Sequence, residues 1–156
     1  MYTFRTLLTA AVALSSSAMA LPRQKPLAES EPWHLLGLSV FTASTGSSNN
    51  SISFDLVDNN AGLQASTACS RSVPGSVEDA NNFYPCDNNS FSFRWDGTTL
   101  RMQRTYKDTA VGPCPLYCSV TAYGSGTPNL TVNYVAEDGQ ATYQDSLDIA
   151  VTEMIA

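Results

Sequence analysis

Histidine, basic charge and long apolar runs are scarce in these 156 residues, and each scarcity removes a class of function. His34 is the single histidine. A Ser-His-Asp triad would have to use it, and no Gly-x-Ser-x-Gly elbow is present to supply the nucleophile. Cys-His catalysis would leave one of the four cysteines unpaired. Cys114-Pro-Leu-Tyr-Cys118 has no second Cys or His pair at zinc-ligand spacing. No catalytic residue, metal or cofactor is therefore expected. Lys and Arg number 8 against 14 Asp and Glu, for a net charge of −6. That balance disfavours general binding to nucleic acid or to an anionic membrane surface. No apolar run approaches the roughly 20 residues that a membrane-spanning helix needs, and a helical period is almost nowhere to be found.

What the chain does contain begins with Arg5, the apolar Leu7 to Leu14, and Ala18-Met19-Ala20. Together they predict a signal peptide over residues 1–20, cut after Ala20, and hence a secreted, extracellular protein. Losing Arg5 leaves 7 basic against 14 acidic residues, a net charge near −7. About 136 mature residues suffice for one domain with its own core. Four cysteines in an oxidising compartment most simply give two bridges. Asn49, Asn88 and Asn129 each open an N-x-[ST] sequon beside a predicted turn, which makes them candidate N-glycosylation sites.

Residues 21–32 (LPRQKPLAESEP) are rich in proline and charge without a period, and read as a disordered leader. The domain then runs from 33 to 156. His34–Thr42 is apolar enough for an interior strand. In SISFDLVD, Ile52, Phe54 and Leu56 share one face while Ser53 and Asp55 share the other. Further strands are expected over Leu63–Ser70, Phe91–Trp95, Thr98–Tyr106, Tyr117–Tyr123, Leu130–Val135 and Tyr143–Thr152, with a helical turn at most over Val77–Asn82. Eight or so short strands spaced by turns predict an all-β fold: a single antiparallel barrel, or a barrel-like sandwich.

Asp96-Gly97 between two β-rich runs reads as a type I′ hairpin turn. A two-residue loop would place Trp95 opposite Thr98, Phe93 opposite Leu100, and Phe91 opposite Met102. It sorts Phe91, Phe93, Leu100 and Met102 onto an apolar side, and Arg94, Thr99, Arg101 and Gln103 onto a polar one. Arg94, Arg101 and Lys107 share the outward face and form a candidate partner-binding surface in an otherwise acidic protein. Arg104 falls in phase with the apolar side, so either the strand twists out of the barrel by then or the register fails.

Trp33 at the opening of the first strand, the SISFDL strand, and above all FYPCDNNSFSFRWDG, with Cys86 inside an aromatic-x-Cys, Asn-Ser-Phe, Phe-x-Phe pattern, resemble the Alternaria major-allergen-like family of small secreted fungal proteins. The resemblance covers most of residues 33 to 153. It implies a β-barrel and a secreted effector or elicitor that provokes plant defence without a settled catalytic mechanism. Some members are allergens, some dimerise, and some carry small aromatic compounds. The resemblance also implies a disulfide between Cys69 and Cys86. Cys114 and Cys118 depart from it, because the family's second pair is usually wider apart, although Gly112, Pro113 and Pro115 make a turn there credible. The family's extra cysteine before the first Trp is absent, so any homodimer must be non-covalent.

Three functions are consistent with these readings. The first is a non-enzymatic protein that binds a plant apoplastic or cell-surface component, in the main a protein. The second is a carrier of small aromatic, flavonoid-like ligands, lined by Tyr106, Tyr117, Tyr123 and Tyr134. The third is a carbohydrate-binding or polysaccharide-active protein, for which Glu78-Asp79, Glu137-Asp138 and Asp145 are the carboxylates to consider.

Overall fold

The computed structural model describes residues 25–44 and 49–156; the expected signal peptide, residues 21–24 of the leader and part of the loop after the first strand lie outside the described residues. Alternating apolar and polar residues form ten strands: β1 (Trp33–Ala43), β2 (Asn50–Asp58), β3 (Ala65–Val73), β4 (Tyr84–Pro85), β5 (Phe91–Trp95), β6 (Leu100–Lys107), β7 (Ser119–Gly126), β8 (Thr131–Ala136), β9 (Gly139–Ile149) and β10 (Val151–Ile155). They build two five-stranded antiparallel sheets, ordered β3-β2-β1-β9-β8 and β10-β7-β6-β5-β4. No helix occurs among the described residues, Val77–Asn82 included.

The barrel-like sandwich is the correct form of the fold, and the closed barrel is not. Each sheet keeps two free edges, β3 and β8 in one, β10 and β4 in the other. The physical reason lies in the last strand, expected as one run over Tyr143–Thr152. It breaks at Ala150, so that β9 pairs with β1 in the first sheet and β10 with β7 in the second. The chain crosses between the layers against Gly124 of β7, where a Cβ would lie 2.7 Å from the Ala150 carbonyl oxygen. A side chain there would obstruct the crossing.

Gly37 breaks the alternation of β1. Its φ of 65° places it in the left-handed region, and the register with β2 shifts between Leu36 and Ser39. The inward residues are therefore Trp33 and Leu35 before this bulge and Leu38 and Val40 after it, all buried. Between the sheets they meet Ile52, Phe54, Leu56, Phe91, Phe93, Trp95, Leu100, Met102 and Ile149. Phe54 and Phe93 meet edge to face at 5.2 Å across the two layers.

Both bridges are formed, Cys69–Cys86 and Cys114–Cys118. The first joins β3 of one sheet to the segment before β5 of the other, and both its cysteines are buried in the core. In the second, the turn brings the two Cα atoms to 5.0 Å. Replacing Cys69 and Cys86 together with alanine should lower stability by about 3 kcal/mol, since the bridge closes a loop of 17-residue separation. Removing the four-residue Cys114–Cys118 link should cost less. Denaturant midpoints of the two double variants test that order.

Candidate functional site

The β5–β6 connection decides what the outer face of the second sheet displays. Phe93 pairs with Met102, Arg94 with Arg101, and Trp95 with Leu100, so the loop is Asp96-Gly97-Thr98-Thr99 and the expected two-residue turn is corrected. A type I′ turn needs positive φ at both central positions. Gly97 has it at 93°, but Asp96 does not. The Asp96 carboxylate instead accepts hydrogen bonds from the backbone N–H of Thr98 (2.9 Å) and of Thr99 (2.7 Å), which favours the wider loop. Those two bonds, Thr99 first, together with the nearby Arg94 and Arg101, hold the Asp96 carboxyl below its ordinary range.

A shift of two residues preserves every side chain's face while changing its neighbour. The new register sets Arg94 directly opposite Arg101, with Ser125 next to Arg101 on β7. The adjoining outward row reads Ser92, Gln103, Tyr123 and Glu153 across β5, β6, β7 and β10. Phe83 lies over this row: the Arg94 guanidinium stands 5.2 Å from its ring centre, and the Tyr123 ring meets it edge-on at 6.4 Å. Like charges placed directly opposite are unfavourable, and neither arginine makes an ion pair among the described residues. Lys107 shares the face but stands six residues further along β6, roughly 20 Å away at strand rise. Phe83 is the site residue that sequence reasoning missed, and Tyr123, expected to line a ligand cavity, lies instead on this outward face. Phe83 precedes a two-residue strand too short to leave a periodic signal.

On the inward side of the same strands the two layers enclose a polar cluster. Arg104 points inward, as its phase requires, and is buried. The strand neither twists out of the fold nor exposes it. Its Nη1 pairs with the Asp58 carboxylate and, at 3.4 Å, with Glu29. Its Nη2 donates to the Leu63 carbonyl at 2.5 Å, and its guanidinium lies 4.6 Å over the Phe91 ring. Trp33 Nε1 donates to Glu29 Oε2 (3.0 Å) and Asp58 Oδ2 (3.2 Å), and Asn60 Nδ2 donates to Glu29 Oε2 (2.9 Å). Burial, then the Asp58 charge, raise the Glu29 carboxyl from 4.5 to about 7.

Residues 27–31 of the expected disordered leader are consequently docked on the domain. Leu27 N donates to Asp108 Oδ2 (2.7 Å) and Glu31 N to Asn60 Oδ1 (2.8 Å). Sequence carried a trace of this cluster. Asp58 continues the inward phase of Ile52, Phe54 and Leu56, just as Arg104 continues that of Leu100 and Met102. Two opposite charges, each in phase with an apolar face, are a signature of a buried pair.

The remaining candidates do not converge. His34 faces Asp148 across β1 and β9, with Nδ1 2.7 Å from Oδ1 at the surface. The Asn82 amide and the Tyr84 hydroxyl hold the Asp79 carboxyl far below the usual carboxylate range. Asp145 is exposed and accepts from the Tyr143 hydroxyl; Glu78, Glu137 and Asp138 are exposed too. The four tyrosines line no common interior. Tyr106 packs beside the Arg104 cluster, Tyr117 is exposed in the cystine loop, Tyr123 lies on the outer face, and Tyr134 is exposed on edge strand β8. Asn49, Asn88 and Asn129 are all exposed. No protein-family model and no curated protein matches this chain.

Proposed function

We propose that this chain is a secreted fungal effector or elicitor that binds a host plant component, in the main an apoplastic or cell-surface protein, and performs no catalysis. The observation that carries the reading is the Arg94–Arg101 pair, set face to face beside Phe83 and Tyr123 on an outward sheet surface. Arginine and tyrosine are among the residues that dominate binding energy at protein interfaces. A basic corner on an acidic chain orients an acidic partner as it approaches. Two cystines support an extracellular setting, in line with the N-terminal targeting pattern. The binding-only reading is supported by how the described carboxylates and the histidine are engaged, Glu29 and Asp58 being buried around Arg104 between the sheets. Asp96 and Asp79 are engaged locally, and His34 is paired with Asp148.

Infiltration of purified protein into leaves tests the proposal. The wild type should provoke a defence response at micromolar dose. Arg94→Glu/Arg101→Glu should need a dose roughly tenfold higher or more, the effect of losing interface hot spots, with an unchanged thermal midpoint. A wild type that provokes nothing refutes the function. A charge-reversed variant with full activity moves the contact to another face.

A further inference from the structure

The cluster around Arg104 holds two carboxylates, Glu29 and Asp58, against one guanidinium, with both acidic side chains fully buried. With both ionised, the pocket carries one uncompensated negative charge out of water, which is strongly unfavourable. With one proton added, it is neutral. Geometry assigns that proton. Asp58 makes the closer contact with Arg104 and also accepts from the backbone N–H of Asn60 at 2.7 Å. Glu29 lies further from the guanidinium, at 3.4 Å, and sits on a segment that enters the pocket from outside both sheets.

That segment has few other attachments. Apart from Glu29, residues 27–31 are held by the Leu27 and Glu31 amides, by the Ser30 hydroxyl donating to Asn60 Oδ1, by Asn60 Nδ2 on the Glu31 carbonyl, and by Leu27 packed near Gly62. The pocket that receives Glu29 is built from the domain itself: Trp33 Nε1 of β1, Asn60 after β2, and Arg104 of β6 converge on one carboxyl group. Arg104 Nε and the Tyr106 hydroxyl are buried in the same place without a hydrogen-bond partner among the described residues. The pocket is therefore a recognition site for a carboxyl group, filled by the chain's own.

We infer that Trp33, Asn60 and Arg104 form a carboxyl-binding cradle whose occupant is Glu29, and that residues 27–31 dock as a strap when Glu29 is protonated and come free when it ionises. The charged and titratable groups facing the strap account for the sign. Asp58 from β2 disfavours a second negative charge; Arg104 favours it but is already matched by Asp58; Asp108 beyond β6 faces the strap only at the Leu27 amide; the Tyr106 hydroxyl stays neutral, its pKa raised by burial and then by the Glu29 charge. Lys25 and Lys107 line one surface groove together with Leu27 and Asp108. Because the docked Glu29 titrates near 7 and the released one near 4.5, docking is strongest below the released value. It weakens as pH rises from there through about 7 and changes no further above that.

Hydrogen exchange of the full mature chain tests this at the Leu27 and Glu31 amides, which donate to Asp108 and Asn60. After correction for intrinsic exchange, their protection should fall on the order of a hundredfold between pH 5 and pH 8.5, while Phe93 and Met102 in the core stay protected. Glu29→Gln, a neutral isostere of the protonated side chain, should hold the strap's protection level across the same range. Wild-type protection that does not change with pH, a Gln variant that loses protection as the wild type does, or strap and core amides falling in parallel would each overturn the inference.

Discussion

Replacing Arg104 with methionine should destabilise the folded protein by about 3–5 kcal/mol at neutral pH, the usual cost of breaking a buried ion pair from one side. The substitution leaves Asp58 and Glu29 buried together with no cation, and removes the donor to the Leu63 carbonyl. The cost has a sign in pH. Without the guanidinium both carboxyl groups favour their neutral form, so acidification should recover much of the loss. Adding Asp58→Asn to Arg104→Met should cost less than the two single changes summed, because the charge that Arg104 balanced is then gone. Denaturant midpoints at pH 4.5 and 7.5, with unchanged slopes, measure all of this. A cost under about 1 kcal/mol at neutral pH, within the range of an exposed pair, would show that the cluster is solvated.

Phe91→Ala should be comparably severe, about 3–5 kcal/mol, through lost burial and the cavity left behind. Phe91 is fully buried, meets Trp33 edge to face at 6.3 Å, and lies under the Arg104 guanidinium. It is the point where the apolar core touches the polar cluster. Its loss should therefore couple to Arg104→Met with a double-mutant energy on the order of 1 kcal/mol. Phe93→Ala empties a site of the same size, between Phe54 and Tyr84. It should be costly alone and nearly additive with Arg104→Met. Thermal or chemical unfolding of the three single and two double variants separates the two positions.

Much of the fold was legible because strand side chains alternate with period two. Ile52, Phe54 and Leu56 declared an inner face, and so did Phe91, Phe93, Leu100 and Met102; all seven are buried. The hairpin shows how far such reading reaches. Its faces were right and its partners wrong, because an error of two residues leaves every face unchanged. Pairing depended on whether Asp96 would accept positive φ or use its carboxylate to cap a longer loop, and composition does not distinguish the two. The candidate surface was legible in the same partial sense. Arg94 and Arg101 were expected outward, but Phe83 and Tyr123 join them only through the register of three strands.

The sequence by itself determined what local chemistry controls: extended segments, their inward and outward residues, an even set of cysteines, and a charge balance hostile to polyanions. Tertiary structure alone decided which distant residues meet. Glu29, Asp58 and Arg104 are separated by 29 and 46 positions, and no local pattern brings such residues together. The crossing at Ala150 likewise depends on room beside Gly124 in a strand that is not its neighbour in sequence. A buried charge is tolerated only where its counter-charge arrives from another element, so the placement of Arg104 became explicable once both sheets and the N-terminal segment were in position around it.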